Sequence, residues 1–108
     1  MANVLLNWTA PADTNNIDGI VILKKTVAAN AAAPTCTDFI AADQARSNTA
    51  SDIVSDGTVS QVGSDLAKDA VTVTESGVTA GSYYYAAFSF NAAGYSPCDV
   101  TDSELVIA

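Results

Sequence analysis

The chain has 108 residues, enough for one domain with a single core and too few for two. Of these, 49 % are hydrophobic and 15 % charged, which excludes a disordered chain, and no apolar run approaches the roughly 20 residues that a membrane-spanning helix needs. A net charge of -8, set by twelve carboxylates against Lys24, Lys25, Arg46 and Lys68, excludes a nucleic-acid binder, because phosphate recognition needs clustered cations.

Met1-Ala2-Asn3 leads straight into apolar alternation, so no secretory leader is expected in this chain. Asn3 to Thr9 predicts a first strand, with Val4, Leu6 and Trp8 on one face and Leu5 and Asn7 on the other. Pro11 and the Asp and Asn residues up to Asn16 end it, since proline cannot donate to a ladder and Asx residues favour turns. Ile17 to Thr26 predicts the second strand. Val27 to Asp52 is alanine-rich, with Pro34, Cys36 and an apolar patch at Phe39-Ile40, and predicts an irregular excursion carrying one short strand. Asp56-Gly57, between Ile53-Val54 and Val59 to Val62, predicts a two-residue hairpin. Val71 and Val73 mark another strand, Ser82 to Asn91 a long one, and Ser103 to Ile107 the last. Period-two patterns bounded by turns make the class all-β, with residues 1–108 as one domain of about seven strands in a sandwich or barrel.

Cys36 and Cys98 are the only cysteines, and histidine is absent. Neither a zinc site nor a Cys-His nucleophile can be assembled from this inventory. The sequence leaves two alternatives open, a disulfide that closes a long loop or a pair of inert buried thiols.

Gly77-Val78-Thr79-Ala80-Gly81, then Tyr83-Tyr84-Tyr85 and alternation to Phe90, then Asn91 to Pro97, resembles the last hairpin of a fibronectin type III domain. Trp8-Thr9-Ala10-Pro11 with Asp13 resembles the family's B strand, and Ile17-Asp18-Gly19-Ile20-Val21-Ile22-Leu23 its C strand. With Asp56-Gly57-Thr58-Val59, the pattern is most similar to the bacterial and phage-borne branch. The resemblance implies an immunoglobulin-like β-sandwich that carries no catalysis. It implies a buried Trp8 and a tyrosine corner, a core tyrosine whose hydroxyl bonds nearby backbone. Counting from Gly81 selects Tyr84 and counting back from Asn91 selects Tyr83. We favour Tyr84, because that choice also buries Phe88 and Phe90. Only Met1 to Asn7 precede Trp8, so the family's strand A is expected to be short or missing. Either the fold tolerates this, or the resulting open sheet edge pairs with another chain, which makes Val4 and Leu5 candidate contact residues.

Other motifs carry less. Asp13-Thr14-Asn15-Asn16-Ile17-Asp18 alternates oxygen ligands as calcium loops do, but lacks the later bidentate Glu, so neither metal nor any other cofactor is expected. Asn7-Trp8-Thr9 matches the glycosylation sequon by chance within a strand. Tyr83, Tyr84, Tyr85, Phe88, Phe90 and Tyr95 would form a sugar-stacking platform only if several faced water, whereas alternation puts about half of them in the core. Tyr95, beside Gly94, is the best exposed contact candidate. Without histidine, a Gly-flanked nucleophile or a phosphate loop, no enzyme is expected.

The functional expectation is a virion-surface or extracellular structural module, a capsid decoration or fibre component that docks on a protein partner or on copies of itself. Membrane insertion and nucleic acid are not expected. The alternatives are a spacer or carbohydrate-binding module of a secreted bacterial enzyme or adhesin, and a self-assembling filament subunit.

Overall fold

The computed structural model describes residues 2–9, 16–96, 98–101 and 104–108. The turn expected at Ala10 to Asn15, including the Asp13 end of the calcium-like loop, lies outside them, as do Met1, Pro97 and Ser103.

The chain is all-β and antiparallel, in two sheets. One is a pair, β1 (Ala2–Asn7) against β4 (Thr72–Val78). The other is built around β5 (Gly81–Asn91), the longest strand. One edge of β5 pairs with β2 (Gly19–Val27), which pairs in turn with β3 (Val59–Gln61). Its other edge is shared by three short strands, β6 (Gly94–Tyr95), β7 (Asp99–Val100) and β8 (Leu105–Ile107). Among the described residues there are eight strands, and in place of the single last strand expected at Ser103 to Ile107, three short ones meet β5 in separate places.

Both faces of the larger sheet are buried, which explains the near-continuous apolar runs of β2 and β5. Ile20, Ile22, Tyr83 and Tyr85 pack with Val4, Val62 and Val78 beneath the β1–β4 pair. Val21, Leu23, Tyr84, Ala86 and Phe88 pack on the opposite face against Phe39, Ile40 and Val59. That second layer is the expected irregular excursion. It contains a 3-10 turn, Cys36–Asp38, and one helical turn, α1 (Thr49–Asp52), whose N-terminal amide at Ser51 is capped by the Asn48 side chain. Its expected strand is reduced to a single bridge, Ile40 to Ile53, with the Val54 amide donating to the Phe39 carbonyl at 2.9 Å.

That bridge overturns the hairpin expected at Asp56-Gly57. The chain does turn there, with Gly57 at φ 81° and the Thr58 amide donating to Asp56 Oδ1 at 2.9 Å. But Ile53-Val54 is already engaged by Phe39-Ile40, and β3 pairs with β2, so the turn joins two layers rather than two paired strands.

Cys36 and Cys98 form a disulfide with Cα atoms 5.7 Å apart, tying the excursion to the segment between β6 and β7. Trp8 is half-buried, packed against the core beneath β1, rather than fully buried as the resemblance implies.

The corner bond belongs to Tyr83, not Tyr84. Tyr83 Oη donates to the Thr79 carbonyl at 2.8 Å and contacts Thr79 Oγ1 at 3.1 Å. Tyr84 does share a buried face with Phe88, as argued from alternation, but the opposite face is buried too, so burial could not discriminate between them. Tyr83→Phe is expected to cost about 1 kcal/mol and Tyr84→Phe much less, measured by urea denaturation; equal losses would contradict this placement.

Candidate functional site

β1 is extended and regular from Ala2 to Asn7. The irregularity in its pairing, between Ala2↔Val78 and Val4↔Glu75, places the extra residue on β4, where Gly77 takes φ 70°. The Trp8 amide donates to the Val71 carbonyl at 3.0 Å. Backbone alternation then aims the amides and carbonyls of Val4 and Leu6 at β4, and those of Asn3, Leu5 and Asn7 outward. Among the described residues no strand pairs with that outer edge. Side chains follow the same alternation: Val4 is 8 % exposed, Leu6 half-buried, and Asn3, Leu5 and Asn7 face solvent, with Leu5 64 % exposed. Of the two contact candidates on this strand, Leu5 is available. Val4 is not, because its side chain lies in the core.

Natural edge strands discourage pairing with charges, prolines or bulges, and β1 has none of these. Three of the chain's four cations are committed elsewhere. Lys24 pairs with Glu75 at 3.0 Å, Lys25 with Asp56 at 3.3 Å and Arg46 with Asp65 at 2.7 Å. Glu75 stands opposite Val4 but turns into the gap between the sheets, where it accepts from Tyr85 Oη at 2.8 Å as well as from Lys24. The β1 edge is therefore a neutral strip on an acidic molecule.

Tyr95 is not an exposed contact residue. Its ring packs edge-on against Phe88, its centroid lies 6.3 Å from that of Phe90, and its hydroxyl donates to Asp52 Oδ2 at 2.6 Å. Arg46 lies over the Phe90 ring at 4.0 Å and donates to Tyr95 Oη at 2.7 Å, Thr49 Oγ1 at 2.9 Å and Asp65 Oδ2. Burial and the Asp52 bond raise the Tyr95 hydroxyl above its ordinary pKa against the opposing effect of Arg46. Burial disfavours the Arg46 charge, yet bonds to Tyr95 and Asp65 outweigh it and hold the guanidinium above its usual value. This knot clamps α1 onto the β5–β6 hairpin. Sequence reasoning missed it, because its members lie far apart in the chain and each reads alone as a surface residue.

Beside the knot runs an open groove of about 720 Å³ between Ile40 to Gln44 and the Asn91 to Ser96 turn. Among the described residues no three of His, Cys, Asp and Glu converge as metal ligands would. Asp52, the buried carboxylate, is occupied by Tyr95 and by the Ser47 amide at 2.8 Å.

Two carboxylates are held ionised by their neighbours. Asp56 is pulled down to about 2 by the Thr58 hydroxyl and amide, with Lys25 adding to them. Burial opposes the Asp65 charge, but bonds from Gln61, Thr49 and Arg46 outweigh it and lower its pKa. A depressed folded-state pKa contributes stability above the ordinary value of 3.8 that is lost as pH falls through the folded value. The urea midpoint is thus expected to drop between about pH 4 and pH 2, and Asp56→Asn to flatten part of that drop. A midpoint unchanged down to pH 2 would contradict it.

No family model, no curated protein and no solved structure matches the chain.

Proposed function

We propose that this chain is a non-enzymatic interaction module of the fibronectin type III kind, serving as a decoration or fibre subunit on the exterior of a virion and docking through the β1 edge. The observation that carries the reading is that edge: six residues of neutral, regular strand with outward backbone groups unpaired among the described residues, on a chain of net charge -8. Strand addition supplies affinity through main-chain hydrogen bonds and needs no catalytic group.

The pairing of β1 with β4, and of β3, β2 and β5 in a second sheet packed on it, supports a fibronectin-like sandwich. The excursion that buries the second sheet's outer face is an addition to that plan. The disulfide and the acidic surface suit an oxidising exterior crowded with copies of one subunit. A sugar-stacking role has less to rest on, since Tyr83, Tyr84, Tyr85 and Phe88 are buried and Phe90 and Tyr95 half-buried.

Immunogold labelling of purified virus particles from the source culture tests the location. Label on the particle exterior is the expected result, and label confined to secreted bacterial protein would overturn the virion reading in favour of a spacer module.

A further inference from the structure

We propose that β1 is self-complementary, and that two copies of the chain join edge to edge, antiparallel, about a two-fold axis through Leu5. The inference deepens the reading of β1 as the docking edge by naming the occupant as a second copy of the same strand.

The outward set of β1 is a palindrome, Asn3, Leu5, Asn7. Antiparallel strands pair through residues whose amides and carbonyls point at one another, and on this edge those residues are Asn3, Leu5 and Asn7. Centring the axis on Leu5 pairs Leu5 with its own copy, so that each donates its amide to the other's carbonyl, and pairs Asn3 with Asn7 of the second copy on both sides. The solvent-facing side chains match in the same register. The two exposed leucines meet at the axis, and the carboxamides on either side, each both donor and acceptor, meet each other. On the core-facing side Val4 lies opposite the second copy's Leu6, and Ala2 opposite its Trp8, a small residue against the largest one. Shifting the axis to Val4 or Leu6 sets Leu5 against an asparagine and loses the match.

Charge permits the pairing as well. Each copy carries -8, yet neither strand bears a charge, and Glu75, the carboxylate opposite Val4, is turned inward onto Lys24 and Tyr85. The other edges suit the role less. β4 is interrupted at Gly77, and β3 has only three residues. A six-residue seam falls at the small end of specific interfaces, so the dissociation constant is expected between about 1 µM and 1 mM. Added salt should tighten it by screening the repulsion between the two acidic bodies.

The test is sedimentation velocity of the full chain from about 5 µM to 1 mM, together with oxidation of Leu5→Cys under glutathione. Residues facing across such a pair have Cα atoms about 5.5 Å apart, within disulfide range. Leu5→Cys is therefore expected to form a covalent dimer much faster than Val106→Cys, which is equally exposed at 64 % on β8. Leu5→Lys, checked for folding by circular dichroism, should weaken the dimer by about tenfold or more, because two like charges then face each other at the axis. A parent chain that stays monomeric to 1 mM, or a Leu5→Cys variant that cross-links no faster than Val106→Cys, overturns self-pairing. Either result leaves docking on a different protein standing, since particle labelling tests that reading separately.

Discussion

Replacing Cys36 and Cys98 together by serine is expected to lower the unfolding free energy by about 4 kcal/mol, the loop-closure value for cysteines 62 residues apart. Domains of this size have only about 5–15 kcal/mol in total, so the variant should melt about 15–30 °C lower by scanning calorimetry. The location of the bond makes the loss structural as well as entropic. It anchors the start of the excursion to the chain between β6 and β7, and the excursion is what covers Tyr84 and Phe88. Reductant should reproduce the effect in the parent and leave the double variant unchanged. A variant melting within a few degrees of the parent would show that packing alone holds the excursion down.

Phe39→Ala is expected to cost about 3–5 kcal/mol, as large as any single side-chain truncation in this chain. Phe39 is 0 % exposed and meets Phe88 edge to face with centroids 6.4 Å apart, so alanine leaves a ring-sized void between the excursion and the sheet. Little regular structure supports that layer, hence the void should loosen it locally. Hydrogen exchange should show the Val54 amide, which donates to the Phe39 carbonyl, losing protection before the amides joining β2 to β5. Leu5→Ala is the control, expected within about 0.5 kcal/mol of the parent. Because Phe39 and the disulfide hold the same segment, their losses should combine to less than their sum. Full additivity would mean that they act on separate units.

β1 was legible because its side chains alternate against a buried layer, and β5 because it is a near-continuous apolar run. Asn3 to Thr9 showed its two faces correctly, and Ser82 to Asn91 differed from β5 by one residue at its start. The excursion was not legible. Its alanines, Phe39 and Ile40 have no period, and their order comes from contacts with a sheet encoded elsewhere. The same hidden layer spoiled the choice between Tyr83 and Tyr84, since alternation identifies an inward face only when the other face is wet. Tyr95 failed for a related reason: a tyrosine beside a turn glycine reads as exposed until Arg46 and Asp52 arrive from far along the chain. The outer edge of β1 has no pairing strand among the described residues, and the inward turn of Val4 rests on pairing with β4.

The order of strands also fixes when the molecule can form. β1 finds its partner only at residues 72–78, and β2, which meets the short β3 at 59–61, finds its long partner only at 81–91. Such a wiring has a high contact order, so folding is expected in milliseconds to seconds rather than microseconds, with almost nothing settled until the last third of the chain has left the ribosome. During that wait β1 has two bare edges instead of one. A strand proposed to take a partner in the finished molecule is thus also the segment that must avoid one for most of its synthesis, and repulsion between chains of net charge -8 opposes such early pairing.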